Sequence, residues 1–340
     1  MIRIKSAKTA LFAAFASILL TNSANAVANA NGLNSATSSS KLTEVTTAEF
    51  QTQPRPKIAV VLGGGGLRGY AHVGVLKVLE EEHIPIDLVV GTSMGAIIGG
   101  VYCAGTPLSA LERDAGKPFV RTYYKERILP EVLRSFIDIS LGRSPEGLVE
   151  GKRLVKDTHK YFGGDFDVSD CKIPFAAVAV DLTDGKAHAL TSGNFGKVLQ
   201  ATTAIPILRK PVRIGDSVYV DGGIASNVPV QEARDLGADF VIAVNVDHTL
   251  KHTDSDYFKT KISAVLDRSL DIMLSKIDRD AGKDADAYIC PDVDGIGLLS
   301  KEVQESKRAI IAGENAARAI MPEIRKKLAA AGVAPATCER

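Results

Sequence analysis

Five short runs of almost unbroken apolar, largely β-branched sequence recur along the chain: Ile58 to Leu62, Asp87 to Gly91, Phe175 to Val180, Ser217 to Val220 and Phe240 to Asn245. A strand that is apolar at successive positions has no face to offer water, so it must be covered on both sides. Longer stretches with apolar residues every three or four positions separate these runs, and helices between strands supply that cover. The pattern predicts an α/β protein of three layers, a parallel or mixed sheet with helices on both faces. The domain runs from 57 to 330, with 331–340 as a C-terminal tail. Between Thr106 and Gly164 the pattern is helical, and the stripe Leu129, Val132, Leu133, Phe136 and Ile137 predicts a core-facing helix, with a lipid-facing flap as the alternative. Two further helices are predicted over Lys261 to Ile277 and Lys301 to Ala330. Pro322 is expected to break the second or start it afresh.

The N-terminus has a different character. Arg3, Lys5 and Lys8 precede the apolar run Ala10 to Leu20, which is followed by polar residues ending in Ala24-Asn25-Ala26. This is the layout of a secretory signal peptide over 1–26. As a membrane anchor the run is too short, because crossing a hydrocarbon core takes about 20 residues. The Asn-, Ser- and Thr-rich stretch 27–56 reads as a flexible leader. The expected location is the periplasm or the outside of the cell. Removing 1–26 takes away those three basic residues and no acidic ones, lowering the formal net charge from +1 to −2. That balance argues against nucleic acid as a partner. Cys103, Cys171, Cys290 and Cys338 are widely spaced, with no Cys-x-x-Cys pair to suggest zinc.

Three clusters carry chemistry. Gly91-Thr92-Ser93-Met94-Gly95 follows one apolar run and precedes a small-residue helix, so it is a G-x-S-x-G in strand–turn–helix context. A nucleophile on such a turn needs strained backbone at Ser93 and neighbours without Cβ atoms at Gly91 and Gly95. Upstream, Gly63 to Gly69 forms a glycine loop between a strand and a helix. Gly64, Gly66 and Gly69 fit G-x-G-x-x-G, but the acidic residue that should end the next strand of a dinucleotide site, Asp87, instead opens it. A Walker loop is excluded because Tyr70 and Ala71 follow Gly69 where Lys and Ser/Thr are required. The remaining reading is an oxyanion hole of Gly64, Gly65 and Gly66, with the charge of Arg68 aimed at the tetrahedral intermediate or a nearby phosphate. The third cluster, Asp221-Gly222-Gly223, places a carboxylate at a strand end followed by a sharp turn. Neither a HExxH pair nor an EF-hand loop is present, so no metal or cofactor is implied.

Taken together these residues resemble the bacterial patatin-like phospholipases. The glycine loop Gly64-Gly65-Gly66-Leu67-Arg68-Gly69, the serine motif Gly91 to Gly95 and Asp221-Gly222-Gly223 match that family's motifs in order, as do Ala201 to Pro206 and Asn227-Val228-Pro229. The resemblance implies a Ser93–Asp221 dyad, a lipid or phospholipid ester as substrate, transient contact with a membrane surface and no metal. Arg209 and Lys210, after Pro206, depart from the bulky apolar residue many relatives carry there. Two other readings stay open: a lipid-binding protein with an inert serine turn, and a Ser-His-Asp triad using His248 or His252, which follow Asp221 in the chain. His72 is expected to pack or support the site, while His83, His159 and His188 have no catalytic context.

Overall fold

The computed structural model describes residues 55–333, apart from 116–146, 148–149, 248–249, 257, 259–261, 299 and 301. The N-terminal segment 1–26, most of the leader, the stripe from Leu129 to Ile137, His248 and Cys338 lie outside the described residues. In chain order the strands are β1 (Ile58–Leu62), β2 (Leu88–Thr92), β3 (Phe175–Asp181), β4 (Lys186–Leu190), β5 (Val212–Ile214), β6 (Ser217–Asp221), β7 (Phe240–Val244) and β8 (Ala287–Ile289). The helices are α1 (Ala71–Glu81), α2 (Met94–Cys103), α3 (Leu108–Asp114), α4 (Lys152–Phe162), α5 (Phe195–Thr202), α6 (Val230–Asp235), α7 (Ile262–Ile277), α8 (Ala281–Asp284) and α9 (Val303–Ala330).

Among the described residues eight strands join one mixed sheet in the order β5-β6-β3-β2-β1-β7-β8, with β4 also paired to β3. The pairs among β1, β2, β3, β7 and β8 are parallel, whereas β4 and β6 run antiparallel to β3 and β5 antiparallel to β6. Both faces of the central strands are buried. Ile58, Val60 and Leu62 pack into the larger core with residues of α1, α2, α5 and α9, while Ala59 and Val61 face a second core with Val230 and Ala233 of α6. The alternation of β1 thus divides it between two helical layers.

The strand arrangement decides where the chemistry falls. Along one edge β4 pairs with Ala177 to Asp181 of β3, so β2 and β6 must share the opposite edge. There Thr92 lies opposite Val178 and Asp221 opposite Ala179, the next residue of β3. Two strands arriving from opposite directions therefore end against each other, and Ser93 follows one while Asp221 closes the other. Elsewhere, α9 runs unbroken through Pro322, contrary to the expected break. The lost backbone bond is offset by burial of Met321, Ile324 and Leu328 on both sides of the proline.

Candidate active site

Ser93 sits between β2 and α2 with φ 52° and ψ −116°, a conformation that costs a non-glycine residue about 1–3 kcal/mol. Its surroundings hold it there. The Ser93 N–H donates to Thr202 Oγ1 at 2.9 Å, and the fully buried Thr202 hydroxyl donates in turn to Val178 O. Thr92 Oγ1 donates to Ser226 O at 2.9 Å, tying the serine turn to the loop after Asp221. The turn also needs its glycines, because a Cβ on Gly95 would lie 2.0 Å from Leu62 O and one on Gly91 2.6 Å from Ala96 N. These approaches draw α2 tightly against β1 and leave its first N–H groups beside Ser93.

Ser93 Oγ donates to Asp221 Oδ2 at 2.9 Å, and Asp221 Oδ1 accepts the Gly223 N–H at 2.9 Å. Asp221 is buried, at 5% exposure. Burial pushes its carboxyl up from 3.8 to about 6, opposed by the Gly223 and Ser93 hydrogen bonds and by the Arg209 charge. Gly222 is required for this placement, since a Cβ there would meet Val178 O at 2.4 Å. Among the described residues no histidine hydrogen-bonds to either Ser93 or Asp221. His252 is exposed, and His188 pairs with Asp184 on the β3–β4 hairpin. The hydroxyl thus meets the carboxylate directly, with no imidazole interposed.

The glycine loop passes beside the serine: a Cβ on Gly64 would come within 3.2 Å of Ser93 Cβ. Its parts are not equivalent. The Gly64 N–H donates to Asn227 O at 3.2 Å, so this donor is held by the fold. That corrects its expected place among the oxyanion donors. Among the described residues, no protein acceptor takes the Gly65 and Gly66 N–H groups. Arg68 requires a second correction, because it is 3% exposed and its guanidinium is taken up by protein groups. Its Nε donates to Ile296 O at 2.8 Å and its guanidinium NH1 pairs with buried Asp271 at 2.7 Å. A guanidinium out of water needs a carboxylate more than an open site can offer.

Several supporting residues lie outside the three clusters that carry the chemistry. His72 is fully buried and hydrogen-bonds Gly63 O through Nε2 at 2.8 Å. Burial lowers its pKa to about 4, so the ring is neutral and Nε2 donates. Asn227, 1% exposed, bridges Gly64 O and Asp278 Oδ2 through its amide. Arg209 is buried and acts electrostatically on Asp221, while Ile207, two residues before it, is half-exposed with φ 72°. The one described cluster with metal-ligand spacing is Asp181, Asp184 and His188. Asp181 Oδ1 in that cluster already accepts the Thr183 and Val218 N–H groups.

A mixed α/β sheet with a strained serine turn, a buried carboxylate on its hydroxyl and a glycine loop alongside defines a serine–carboxylate site on a three-layer fold. The family profile described as patatin-like phospholipase matches residues 60–234 of this sheet and its loops, and the chain belongs to that family. An uncharacterised NTE family protein of Mycobacterium tuberculosis is 31% identical over 191 residues, 56% of this chain and 49% of that one. Patatin-like phospholipase domain-containing protein 6 of Homo sapiens is 33% identical over 193 residues, 56% of this chain but 13% of its own. Lysophospholipase nte1 of Emericella nidulans is 31% identical over 200 residues, 59% of this chain and 12% of its own. The chain therefore spans about half the length of its mycobacterial relatives and far less of the others. VipD from Legionella pneumophila, a solved structure, aligns over 79% of this chain and 67% of its own at 14% identity, with a TM-score of 0.44. Among the described residues no helix is long and apolar enough to cross a membrane.

Proposed function

We propose that this protein is a lipid acyl hydrolase that cleaves carboxylic esters through Ser93, Asp221 and a covalent acyl-enzyme. The observation that carries the reading is the 2.9 Å hydrogen bond from Ser93 Oγ to a buried carboxyl whose pKa is raised to about 6. An ordinary aspartate near 3.9 is a poor base for an alcohol, and raising it toward the working pH improves proton transfer while leaving it ionised at pH 7. Asp221 Oδ2 takes the hydroxyl proton as Ser93 Oγ attacks the ester carbonyl. The Gly65 and Gly66 N–H groups receive the oxyanion. On collapse the alcohol leaves with the proton held by Asp221. A water deprotonated by the same carboxylate then attacks the acyl carbonyl, the bond to Ser93 Oγ breaks as Asp221 returns the proton to Oγ, and the free acid departs.

The names of the relatives, phospholipase and lysophospholipase, point to acyl esters of phospholipids or lysophospholipids as the substrate class. Such a substrate implies transient contact with a membrane surface. The N-terminal sequence supports export of the enzyme. A p-nitrophenyl butyrate assay on the chain without residues 1–26, run beside Ser93→Ala, tests the reading. Turnover that disappears in the variant supports it, and equal rates in both would overturn it.

A further inference from the structure

Helix α7 lies beyond the stretch matched by the family profile, which ends at 234, yet it and the turn after it hold the loops of the site at three points. Asp271 Oδ1 accepts Arg68 NH1 at 2.7 Å. Leu274 Cδ2 packs against Gly223, 3.5 Å from where a Cβ there would stand. Asp278 accepts the Asn227 amide at 2.7 Å and the Val228 N–H at 3.0 Å, and Asn227 O in turn takes the Gly64 N–H. Gly64 and Arg68 are thus each tied to a carboxylate of the same strap. Between those ties stand Gly65 and Gly66.

We infer that Asp271 is a positioning residue for acyl transfer, which fixes through Arg68 the direction of the Gly65 and Gly66 N–H groups. The inference rests on the hydrolase reading above. The Arg68 side chain is held in two directions, by Ile296 O at Nε and by Asp271 at NH1, which fixes the plane of the guanidinium. Its backbone N–H donates to Gly65 O at 3.1 Å, so a displaced Arg68 takes the peptide between the two donors with it. Stability alone gives a poor reason for the pair. Both partners are under 10% exposed, and apolar residues of similar volume commonly replace such a pair with no loss. Asp247 stands nearby, and burial together with Asp278 and Asp271 raises its carboxyl well above the carboxylate range. That shift favours its neutral form, and the carboxylate bonded to the Arg68 guanidinium is Asp271.

The test compares Asp271→Asn, Asp271→Glu and the double variant Arg68→Met/Asp271→Leu with the parent, reading kcat and KM on p-nitrophenyl butyrate and the melting temperature. Misplaced oxyanion donors act on the transition state, so the expected result for Asp271→Asn is a kcat lower by about 30-fold or more with KM within about threefold. The double variant removes the uncompensated charge and is expected to melt close to the parent while keeping the same loss in kcat. That combination separates aim from stability. A double variant with kcat within about threefold of the parent would overturn the inference. Should both uncharged forms fail to fold, Asp271→Glu decides it, because a carboxylate one methylene too long displaces the guanidinium. It is expected to lower kcat about tenfold, and a parental kcat would overturn the inference. A parent without Ser93-dependent turnover removes the hydrolase reading itself, a different result from a working parent with an indifferent Asp271.

Discussion

Replacing Asp221 with asparagine is expected to abolish ester turnover and, at the same time, to stabilise the fold above neutral pH. The folded pKa of Asp221, about 6, lies above its ordinary 3.8 because burial outweighs the groups that favour the charge. A carboxyl raised in this way binds its proton more tightly in the native state. Its contribution is most favourable below about pH 3.8 and is lost as pH rises through about 6. At 1.36 kcal/mol for each unit of pKa, the native state at pH 8 gives up roughly 3 kcal/mol to keep Asp221 ionised. Asparagine preserves the shape and an acceptor for the Gly223 N–H, and carries no charge to desolvate. Urea unfolding of parent and variant at pH 4, 6 and 8 should show the variant more stable by up to roughly 3 kcal/mol at pH 8. The gap should narrow toward pH 4. A variant no more stable than the parent at pH 8 would refute the claim that the site holds a disfavoured carboxylate. By the same reasoning, the acid limb of kcat/KM in the parent should fall near pH 6, about two units above that of an exposed aspartate.

Gly95→Ala is expected to cost about 3 kcal/mol or more in thermal unfolding, because its methyl would lie 2.0 Å from Leu62 O and neither backbone can yield without moving α2 off β1. Arg68→Ala should lower kcat/KM alike on a phospholipid and a neutral ester of matched chain length, since the guanidinium is taken up by Asp271. A phospholipid-selective loss of tenfold or more, roughly 1.4 kcal/mol, would return Arg68 to phosphate recognition. His252→Ala should keep activity within a small factor, as should His248→Ala. A loss of about a thousandfold at either would restore the triad.

The parts of this site legible in sequence are those whose chemistry is local. β1, β2, β3, β6 and β7 were visible as apolar runs to within a residue or two, and the serine turn and the Asp221 turn announced themselves by glycines that no other residue can replace at such contacts. The strands missed were β4, β5 and β8. β4 is half-exposed with the polar sequence Lys-Ala-His-Ala-Leu, and β5 and β8 are three residues long, too short for a periodicity to register. Burial of Pro322's neighbours overrode the local signal for a break in α9. The pairings that support the site were not legible, even where one partner lies in a recognised segment, as Thr202 does in Ala201 to Pro206. Thr202 and Ser93 are 109 residues apart and Arg68 and Asp271 are 203, so their pairing is a property of the sheet order and of where α7 comes to rest. Arg68 illustrates the limit: the motif located it correctly in the glycine loop, but only its buried partner shows which way the charge points.

The most direct measurement of the central claim is covalent trapping with a fluorophosphonate, which captures an activated serine in the geometry of the tetrahedral intermediate. The parent chain, labelled at pH 8 and digested, should yield a single phosphonylated peptide mapping to Gly91-Thr92-Ser93-Met94-Gly95 in the mass spectrum. Ser93→Ala should yield none, and Asp221→Asn should label far more slowly while remaining folded, because its hydroxyl has lost the base 2.9 Å away. Labelling of another residue, or undiminished labelling of Ser93 in Asp221→Asn, would contradict the account.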